Sequence, residues 1–280
     1  MRLFSEPGKK RIKAGHGGTL DPLATGMLPI LLGEATRYAE LGLNAEKSYR
    51  VTFDLSYQTD TLDREGEEIA RFDKPVSREQ LQEALSQFSG EIDQTPPIYS
   101  AIRIDGKRAH ELARKGEDVA MKSRRVTIHS LSLICFEFPR VTLEVSCSKG
   151  TYIRSLARDI GASLHAGGCV TELRRLSTGG WPQEMMVTTE QLHSDKQAAL
   201  LPLAAWLRNL SRLDISTDEA KRFLHGQRIQ LRSTHEDELE QDVAVFADDI
   251  LLGTGSLKAG QKHMVLHPAR LLPSAQGLFR

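Results

Sequence analysis

The sequence has few cysteines and no long apolar run, and each scarcity excludes a class of protein. Only three cysteines occur among 280 residues, without a CxxC pair or a histidine at zinc-ligand spacing. Neither a disulfide framework nor a zinc site is therefore predicted, and reduced core residues are expected at Cys135, Cys147 and Cys169. No apolar stretch approaches the roughly 20 residues of a membrane helix. Because the N-terminus also lacks the apolar core of a secretory signal, a cytoplasmic protein without a membrane partner is expected.

Four common catalytic or nucleotide-binding motifs are missing from the sequence. They are GxxxxGK[ST], GxGxxG after a strand, HExxH and GxSxG. The NTPase, dinucleotide-binding, zinc-protease and α/β-hydrolase classes therefore lose their usual support. The sequence indicates no cofactor and no metal.

The chain also has no net charge, with 37 Lys and Arg against 37 Asp and Glu, which taken alone argues against a nucleic-acid partner. The charges are unevenly spread, however. Cations dominate residues 2–13 and 103–125, whereas residues 234–250 hold seven acids and no Lys or Arg. Because the field at a protein surface is local and screened beyond about 10 Å, one basic side is sufficient to bind phosphates. Solvated surface charge is the alternative interpretation of each cluster.

Residue periodicity predicts strands in groups with scattered helices. Apolar residues alternate from Tyr49 to Leu55, which is typical of a half-buried strand. A capping box at Ser77 and Gln80 begins a helix that Gly90 ends. Residues 124–138 and 140–148 form a predicted hairpin, residues 149–168 a helix, and residues 170–181 a further strand. These elements favour an α+β fold with a mixed, largely antiparallel sheet and flanking helices.

The sequence changes character after Trp206. A helical stretch is followed by short strand-like runs separated by turn signals. We therefore predict a catalytic domain over residues 1–211 and a small β-rich domain over residues 212–280.

Chemistry-bearing residues concentrate in the glycine-rich segment GHGGTLDPLATG, Gly15 to Gly26. An aspartate before a proline, such as Asp21, is usually a turn residue. Arg154 is more informative, because a helix that begins near residue 151 places this cation beside the positive end of the helix dipole. A carboxylate or phosphate partner would explain an arginine there, and an unpaired surface arginine is the alternative. Tyr49 is interpreted first as a core residue, although a tyrosine at a strand end also stacks unpaired bases.

Together, the segments GHGGTLDPLATGMLPILLGEAT, KSYRV, SKGTYIRSLARDIG and TELRRL resemble the bacterial tRNA pseudouridine-55 synthase family. The resemblance extends from about Gly15 to Trp181. The tail ending in HPARLL is similar to the small RNA-binding appendage of that family, which is related to the PUA domain. A catalytic domain of the pseudouridine synthase type with a PUA-like C-terminal domain is thus implied.

The resemblance implies a role for each matching residue. Asp21 would be the nucleophile that opens the glycosidic bond of a uridine, and Arg154 would pair with it. A carboxylate suits this role because it is already ionised at neutral pH. Besides Arg154, the substrate-binding residues would be Tyr49, which stacks on the target base, Tyr152 and Leu173, which line its pocket, and His16, which enters the space that the flipped nucleotide leaves in the RNA loop. Arg174 and Arg175 follow the pocket residue and would meet phosphates.

The resemblance further implies the substrate and the partners. The substrate would be the T-stem-loop of tRNA, modified at position 55 without a guide RNA or an obligatory protein partner. Two departures from the family pattern stand out: Gly17 replaces a usual threonine or serine, and the family's N-terminal strand and helix with a DKPxGxTS-like segment are apparently missing. A catalytically impaired tRNA-binding or tRNA-folding module is therefore the alternative. Two weaker alternatives are a guide-RNA-dependent member of the same superfamily and a hydrolase.

Overall fold

The computed structural model describes residues 2–5, 8, 11–100, 102–104, 106–113, 120–231, 240–260 and 263–279. The chain forms two compact units. The larger unit comprises Ala14–Leu31 and Tyr38–Met186, and the smaller unit comprises Met1–Lys13, Leu32–Arg37 and Val187–Arg280. The predicted boundary between residues 211 and 212 stays a prediction.

Apart from Leu32, which belongs to the smaller unit, the strands and helices between residues 14 and 178 build the larger unit. The strands are β1 Ala14–His16, β2 Thr25–Gly26, β3 Ile30–Leu32, β4 Lys47–Asp54, β5 Tyr57–Thr59, β6 Glu68–Arg71, β7 Gly90–Gln94, β8 Arg103–Ile104, β9 Lys107–Arg108, β10 Arg124–Glu137, β11 Arg140–Cys147 and β12 Cys169–Thr178. The helices are α1 Ala39–Asn44, α2 Arg78–Ser86, α3 Ala109–Ala113 and α4 Ile153–Ser163. Short 3₁₀ turns occupy Arg2–Phe4, Gly33–Tyr38 and Gln183–Met185.

A six-stranded sheet forms the centre of the larger unit in the described part of the chain. Its order is β2-β12-β4-β11-β10-β7. The pairing of β2 with β12 is parallel and the other pairings are antiparallel. The predicted α+β fold with a mixed, largely antiparallel sheet is thus confirmed.

The core lies between this sheet and helices α2 and α4. On β4, the alternating residues Tyr49, Val51, Phe53 and Leu55 are all buried, as the sequence period of two predicts. The capping box of α2 is also confirmed, because Ser77 and Gln80 each bond to the backbone of the other. Helix α4 turns its apolar side to the same core through Ile153, Leu156, Ala157 and Ile160. This packing fixes the start of α4 against the sheet.

Three expectations for this unit need correction or qualification. Cys135 is exposed on β10, so the expected core position is wrong there, whereas Cys147 and Cys169 are buried and all three thiols are free. The sequence of residues 99–106 predicts a strand, and its described residues contain β8. The sequence of residues 107–116 predicts a helix, but Lys107–Arg108 form β9 and the described helix α3 covers Ala109–Ala113, while residues 114–119 lie outside the described residues. Parts of the charged segments 2–13, 103–125 and 234–250 also lie outside the described residues.

The smaller unit is β-rich, as predicted for the C-terminal region. Its strands are β13 Ser211–Asp214, β14 Ile229–Gln230, β15 Gln241–Ala247, β16 Ile250–Ala259 and β17 Met264–Leu271. They form a sheet of order β13-β15-β16-β17-β14, with β13 and β15 parallel. Its helices are α5 Thr189–Ser194, α6 Leu203–Trp206, α7 Thr217–Leu224 and α8 Pro273–Gln276. Within the described residues, no helix has both the length and the apolar character needed to cross a membrane.

Candidate active site

Asp21 lies in the loop between β1 and β2, and backbone hydrogen bonds fix both ends of that loop. The amide of Gly17 donates to Pro29 O at 2.9 Å, and the amide of Ala24 donates to Asp21 O at 2.9 Å. Gly18 and Gly26 have φ values of +147° and +95°, which side chains rarely adopt. The glycines therefore permit this path of the loop. The Asp21 side chain remains 28% exposed, so a ligand can reach its carboxylate.

Arg154 holds the Asp21 carboxylate from the first turn of α4. Its Nε donates to Asp21 Oδ2 at 2.8 Å and its Nη2 donates to Asp21 Oδ1 at 3.0 Å. This two-point geometry matches the planar fork of the guanidinium group to the carboxylate. The Arg154 side chain is only 6% exposed. The expected pairing of the two residues is confirmed, whereas their catalytic roles stay predictions.

A second carboxylate, Asp63, contacts the same guanidinium group. Its Oδ2 lies 3.4 Å from Arg154 Nη1, and the side chain is buried. Thr61 Oγ1 donates to Asp63 Oδ1 at 2.7 Å. Asp21 and Asp63 thus share the single cation of Arg154. The other described contacts of Arg154 are hydrogen bonds to backbone carbonyls. The group of three carries a formal charge of −2 + 1 = −1.

The sequence interpretation missed Asp63, because residues 56–66 have the polar composition that is typical of a loop. No local pattern distinguishes it from other loop aspartates. Its position depends on tertiary contacts, because the loop folds back onto the start of β12, where Arg64 N donates to Val170 O at 2.9 Å. A bridge between Asp63 and Val170 completes that contact.

Tyr49 and Leu173 lie on neighbouring strands of the sheet, in one apolar cluster with Leu23 of the Asp21 loop. Tyr49 on β4 is opposite Arg175 on β12, and Leu173 is opposite Val51. Burial raises the pKa of the Tyr49 hydroxyl, and the charge of Arg175 opposes that rise. The phenol is therefore neutral at physiological pH. The fold brings both predicted pocket residues close to the loop that carries Asp21.

Tyr152 is the residue immediately before α4, and a buried glutamine holds its backbone. Gln94 Nε2 donates to Tyr152 O at 3.1 Å, and Tyr152 N donates to Gln94 Oε1 at 2.8 Å. The guanidinium carbon of Arg124 lies 4.8 Å from the centroid of the Tyr152 ring, within cation–π distance. Gln94 therefore connects the end of β7 to the helix start that supplies Arg154.

We expect Gln94→Met to lower the free energy of unfolding by about 1–3 kcal/mol. Methionine fills a similar volume but leaves the half-buried N–H of Tyr152 without its acceptor, which costs about 1–3 kcal/mol. Tyr152 O keeps a partner, because the amide of Leu156 also donates to it at 3.0 Å. Urea unfolding of both proteins measures the difference. Gln82→Met, at an exposed position of α2, is the matched control and should change stability by at most about 0.5 kcal/mol. A Gln94→Met protein as stable as the control would contradict the proposed contact.

His16 is the last residue of β1, directly before the loop that carries Asp21, and it is exposed. No described hydrogen bond or ion pair joins its ring to Asp21 or Arg154. Its predicted insertion into RNA stays a prediction.

The expectation that Arg175 contacts a phosphate is wrong for this structure. Arg175 is 1% exposed and donates to backbone carbonyls of the Asp21 loop. Its neighbour Arg174 is exposed, because successive residues of a strand point to opposite faces. Lys47 is a further buried cation near this loop. Burial and the charge of Arg175 lower the pKa of Lys47 to about 8, and three carbonyls at the end of α1 accept from its Nζ.

Family sequence models match the chain over almost all of its length. The TruB family pseudouridylate synthase N-terminal domain matches residues 6–153. The tRNA pseudouridylate synthase B C-terminal domain matches residues 154–210, and the pseudouridine synthase II TruB C-terminal model matches residues 211–272. The chain belongs to the TruB family of pseudouridine synthases. The resemblance drawn from the sequence is therefore confirmed, and the Asp21 loop, Arg154 and β12 are parts of a pseudouridine synthase.

Named relatives and solved structures agree with membership of the TruB family. The chain is 43% identical to tRNA pseudouridine synthase B of Ralstonia pickettii, covering 93% of this chain and 85% of that one. It is 47% identical to the protein of that name from Zymomonas mobilis, covering 81% and 77%. A chain of a Cbf5-Nop10-Gar1 complex superimposes with a TM-score of 0.70 at 24% identity, over 95% of this chain and 78% of that chain. The last comparison shows a shared fold.

Proposed function

We propose that this TruB-family chain converts the uridine at position 55, in the T-loop of tRNA, into pseudouridine. Asp21 acts as the nucleophile, and the target base is flipped out of the RNA loop. The observation that supports this most strongly is the two-point hydrogen bonding of Arg154 to the Asp21 carboxylate. The relatives named tRNA pseudouridine synthase B support tRNA as the substrate.

The reaction needs only groups that this site provides or that water supplies. The bond between N1 of uracil and C1′ of ribose breaks, the base turns, and a bond forms between C5 and C1′. The proton on C5 leaves to water and N1 gains a proton from water, so the product is an isomer of the substrate. A carboxylate needs no general base to become a nucleophile, and the guanidinium group of Arg154 holds the Asp21 carboxylate in place.

The surroundings of Asp21 suit an unpaired base. Tyr49 and Leu173 offer apolar surface beside the loop, and Tyr152 lies two residues before Arg154 in sequence. Aromatic side chains stack on bases without regard to sequence, each stack contributing about 1–3 kcal/mol. Flipping a base from a hairpin loop costs a few kcal/mol, which stacking offsets. His16, exposed at the rim of the Asp21 loop, fills the gap left in the RNA.

Recognition of the T-stem-loop requires cations outside the pocket. Arg174 is exposed on β12, directly after the pocket residue Leu173. Lys122, two residues before the start of β10, and Arg125, on β10, are also exposed. Phosphate contacts of this kind fix the position of the RNA without reading its sequence. The reaction proceeds without a guide RNA, a cofactor or a protein partner.

A tritium-release assay tests this proposal. Because C5 loses its hydrogen, tRNA transcribed with [5-³H]uridine should release one equivalent of tritium per molecule when the purified chain is added alone. A transcript with cytidine at position 55 should release none. Release from both transcripts would refute the assignment to position 55.

Binding without release from either transcript would instead support the tRNA-binding or tRNA-folding alternative. A gel-shift measurement on the same transcripts distinguishes that outcome from a protein that ignores tRNA altogether.

A further inference from the structure

We propose that Arg175 is a positioning residue that fixes the direction in which the Asp21 carboxylate faces the substrate. This inference rests on the proposed function of Asp21. Arg175 lies on β12 beneath the loop between β1 and β2, and it does not contact Asp21 itself among the described contacts. It acts through the backbone on both sides of Asp21.

The side chain of Arg175 bonds to three carbonyls of the Asp21 loop. Its Nε donates to Met27 O at 2.7 Å, its Nη1 to Thr19 O at 3.2 Å, and its Nη2 to Gly18 O at 3.2 Å. These acceptors lie two and three residues before Asp21 and six after it. One planar group therefore fixes the distance between the two arms of the loop.

The backbone of Arg175 contacts the same loop. Met27 N donates to Arg175 O at 2.9 Å, and Gly26 pairs with Arg175 in the short parallel contact of β2 with β12. A Cβ atom at Gly26 would lie 2.2 Å from Arg175 O, and φ at Gly26 is +95°. Only glycine permits so close an approach without displacing one of the strands.

The same guanidinium group acts on the predicted stacking residue. Tyr49 lies opposite Arg175 across the β4–β12 pairing. The charge of Arg175 also bears on the Tyr49 hydroxyl, where it opposes the rise in pKa that burial causes. Arg175 thus fixes the relative position of the loop that carries the nucleophile and the strand that carries the base-stacking ring.

The bonding of Arg175 is unusual for a buried cation. Within the described residues no carboxylate forms a salt bridge with it, and its acceptors are neutral carbonyls. Burying a charge without a charged partner is unfavourable. The glycine-rich Asp21 loop has little stiffness of its own, and the hydrogen bonds from Arg175 hold its two arms together. A guanidinium group supplies several donors in a fixed plane, which suits carbonyls on both arms of the loop, whereas the donors of a lysine ammonium group diverge from one nitrogen atom.

Two kinds of substitution test the inference independently. Arg175→Lys keeps the charge but loses the planar set of donors, and Gly26→Ala keeps Arg175 but forces the loop away from β12. Arg50→Lys is the control, because Arg50 is an exposed arginine on the adjacent strand β4, paired with Glu144. Single-turnover rates are measured with enzyme in excess over [5-³H]uridine tRNA, Kd by filter binding, and folding by circular dichroism.

We expect both Arg175→Lys and Gly26→Ala to lower the single-turnover rate about 100-fold, because small misplacements of a reacting group have effects of that size. Their Kd for tRNA should stay within about threefold of the wild-type value. Arg50→Lys should match the wild type in both quantities. A direct role in phosphate binding predicts the reverse pattern, a raised Kd with an unchanged rate, and would overturn the inference.

Rates within threefold of wild type in folded variants would also overturn it. If Arg175→Lys does not fold, Gly26→Ala decides the question with the native arginine present. A wild-type protein that releases no tritium would refute the proposed function and this inference together. An active wild type with equally active variants would refute the positioning role alone.

Discussion

Replacing Asp21 by asparagine should reduce tritium release from tRNA below detection, by more than about 10⁴-fold. An amide is not a nucleophile toward the sugar or the base. Its NH₂ group would also face a donor of Arg154, which now bonds to both carboxylate oxygens. Binding of tRNA should persist, because the substitution preserves the size of a partly exposed side chain.

The comparison of Asp21→Asn with Asp73→Asn makes this result specific. Asp73 is an exposed aspartate of the same unit, outside the site, and its replacement should leave both rate and Kd unchanged. Kd is measured by filter binding on unmodified transcripts, and the rate under single-turnover conditions. Product formation by Asp21→Asn at a rate near that of the wild type would show that another group is the nucleophile.

The second largest effect is expected for Arg154→Lys, which should lower the single-turnover rate by about 10²–10³-fold with a modest change in Kd. The guanidinium group bonds to Asp21 at two points and also donates to Thr61 O and Tyr99 O. The ammonium group of lysine does not reproduce both bonds to Asp21 together with the two bonds to backbone carbonyls. The carboxylate then rotates away from its productive orientation, and Asp63 loses part of its compensation in a buried position.

A control for Arg154→Lys lies one helical turn later. Arg158 bonds to Asp159 and to Thr95 O, outside the Asp21 contacts, so Arg158→Lys should retain the wild-type rate. Both variants keep a cation on α4, which removes total charge as an explanation. Equal activity of Arg154→Lys and wild type would contradict the proposed orientation of Asp21 by the guanidinium fork.

Local sequence patterns predicted most of the regular elements of the larger unit. The alternation on β4, the capping box of α2 and the apolar side of α4 depend on neighbouring residues alone, and all three are present. The long hairpin of β10 and β11 was also predicted. Cys135 was not, because exposure at one position of a long strand depends on which neighbours cover it.

The candidate site was only partly predictable. Asp21 and Arg154 could be proposed because both lie in segments that resemble the family, and because Arg154 is also a cation at an unfavourable helix end. Asp63 and Gln94 carry no such signal. They matter because a loop folds back onto β12 and because the end of β7 meets the start of α4.

The sequence by itself determined the family, the alternating and helical elements, and the glycine-rich segment that carries Asp21, since each depends on motifs or patterns formed by residues close together in the chain. The tertiary structure decided what surrounds that segment. It pairs Asp21 with an arginine 133 positions away and places a second carboxylate on the same cation. It also turns Arg174 outward and Arg175 inward, because the pleat of β12 gives adjacent residues opposite faces and the Asp21 loop covers only one of them.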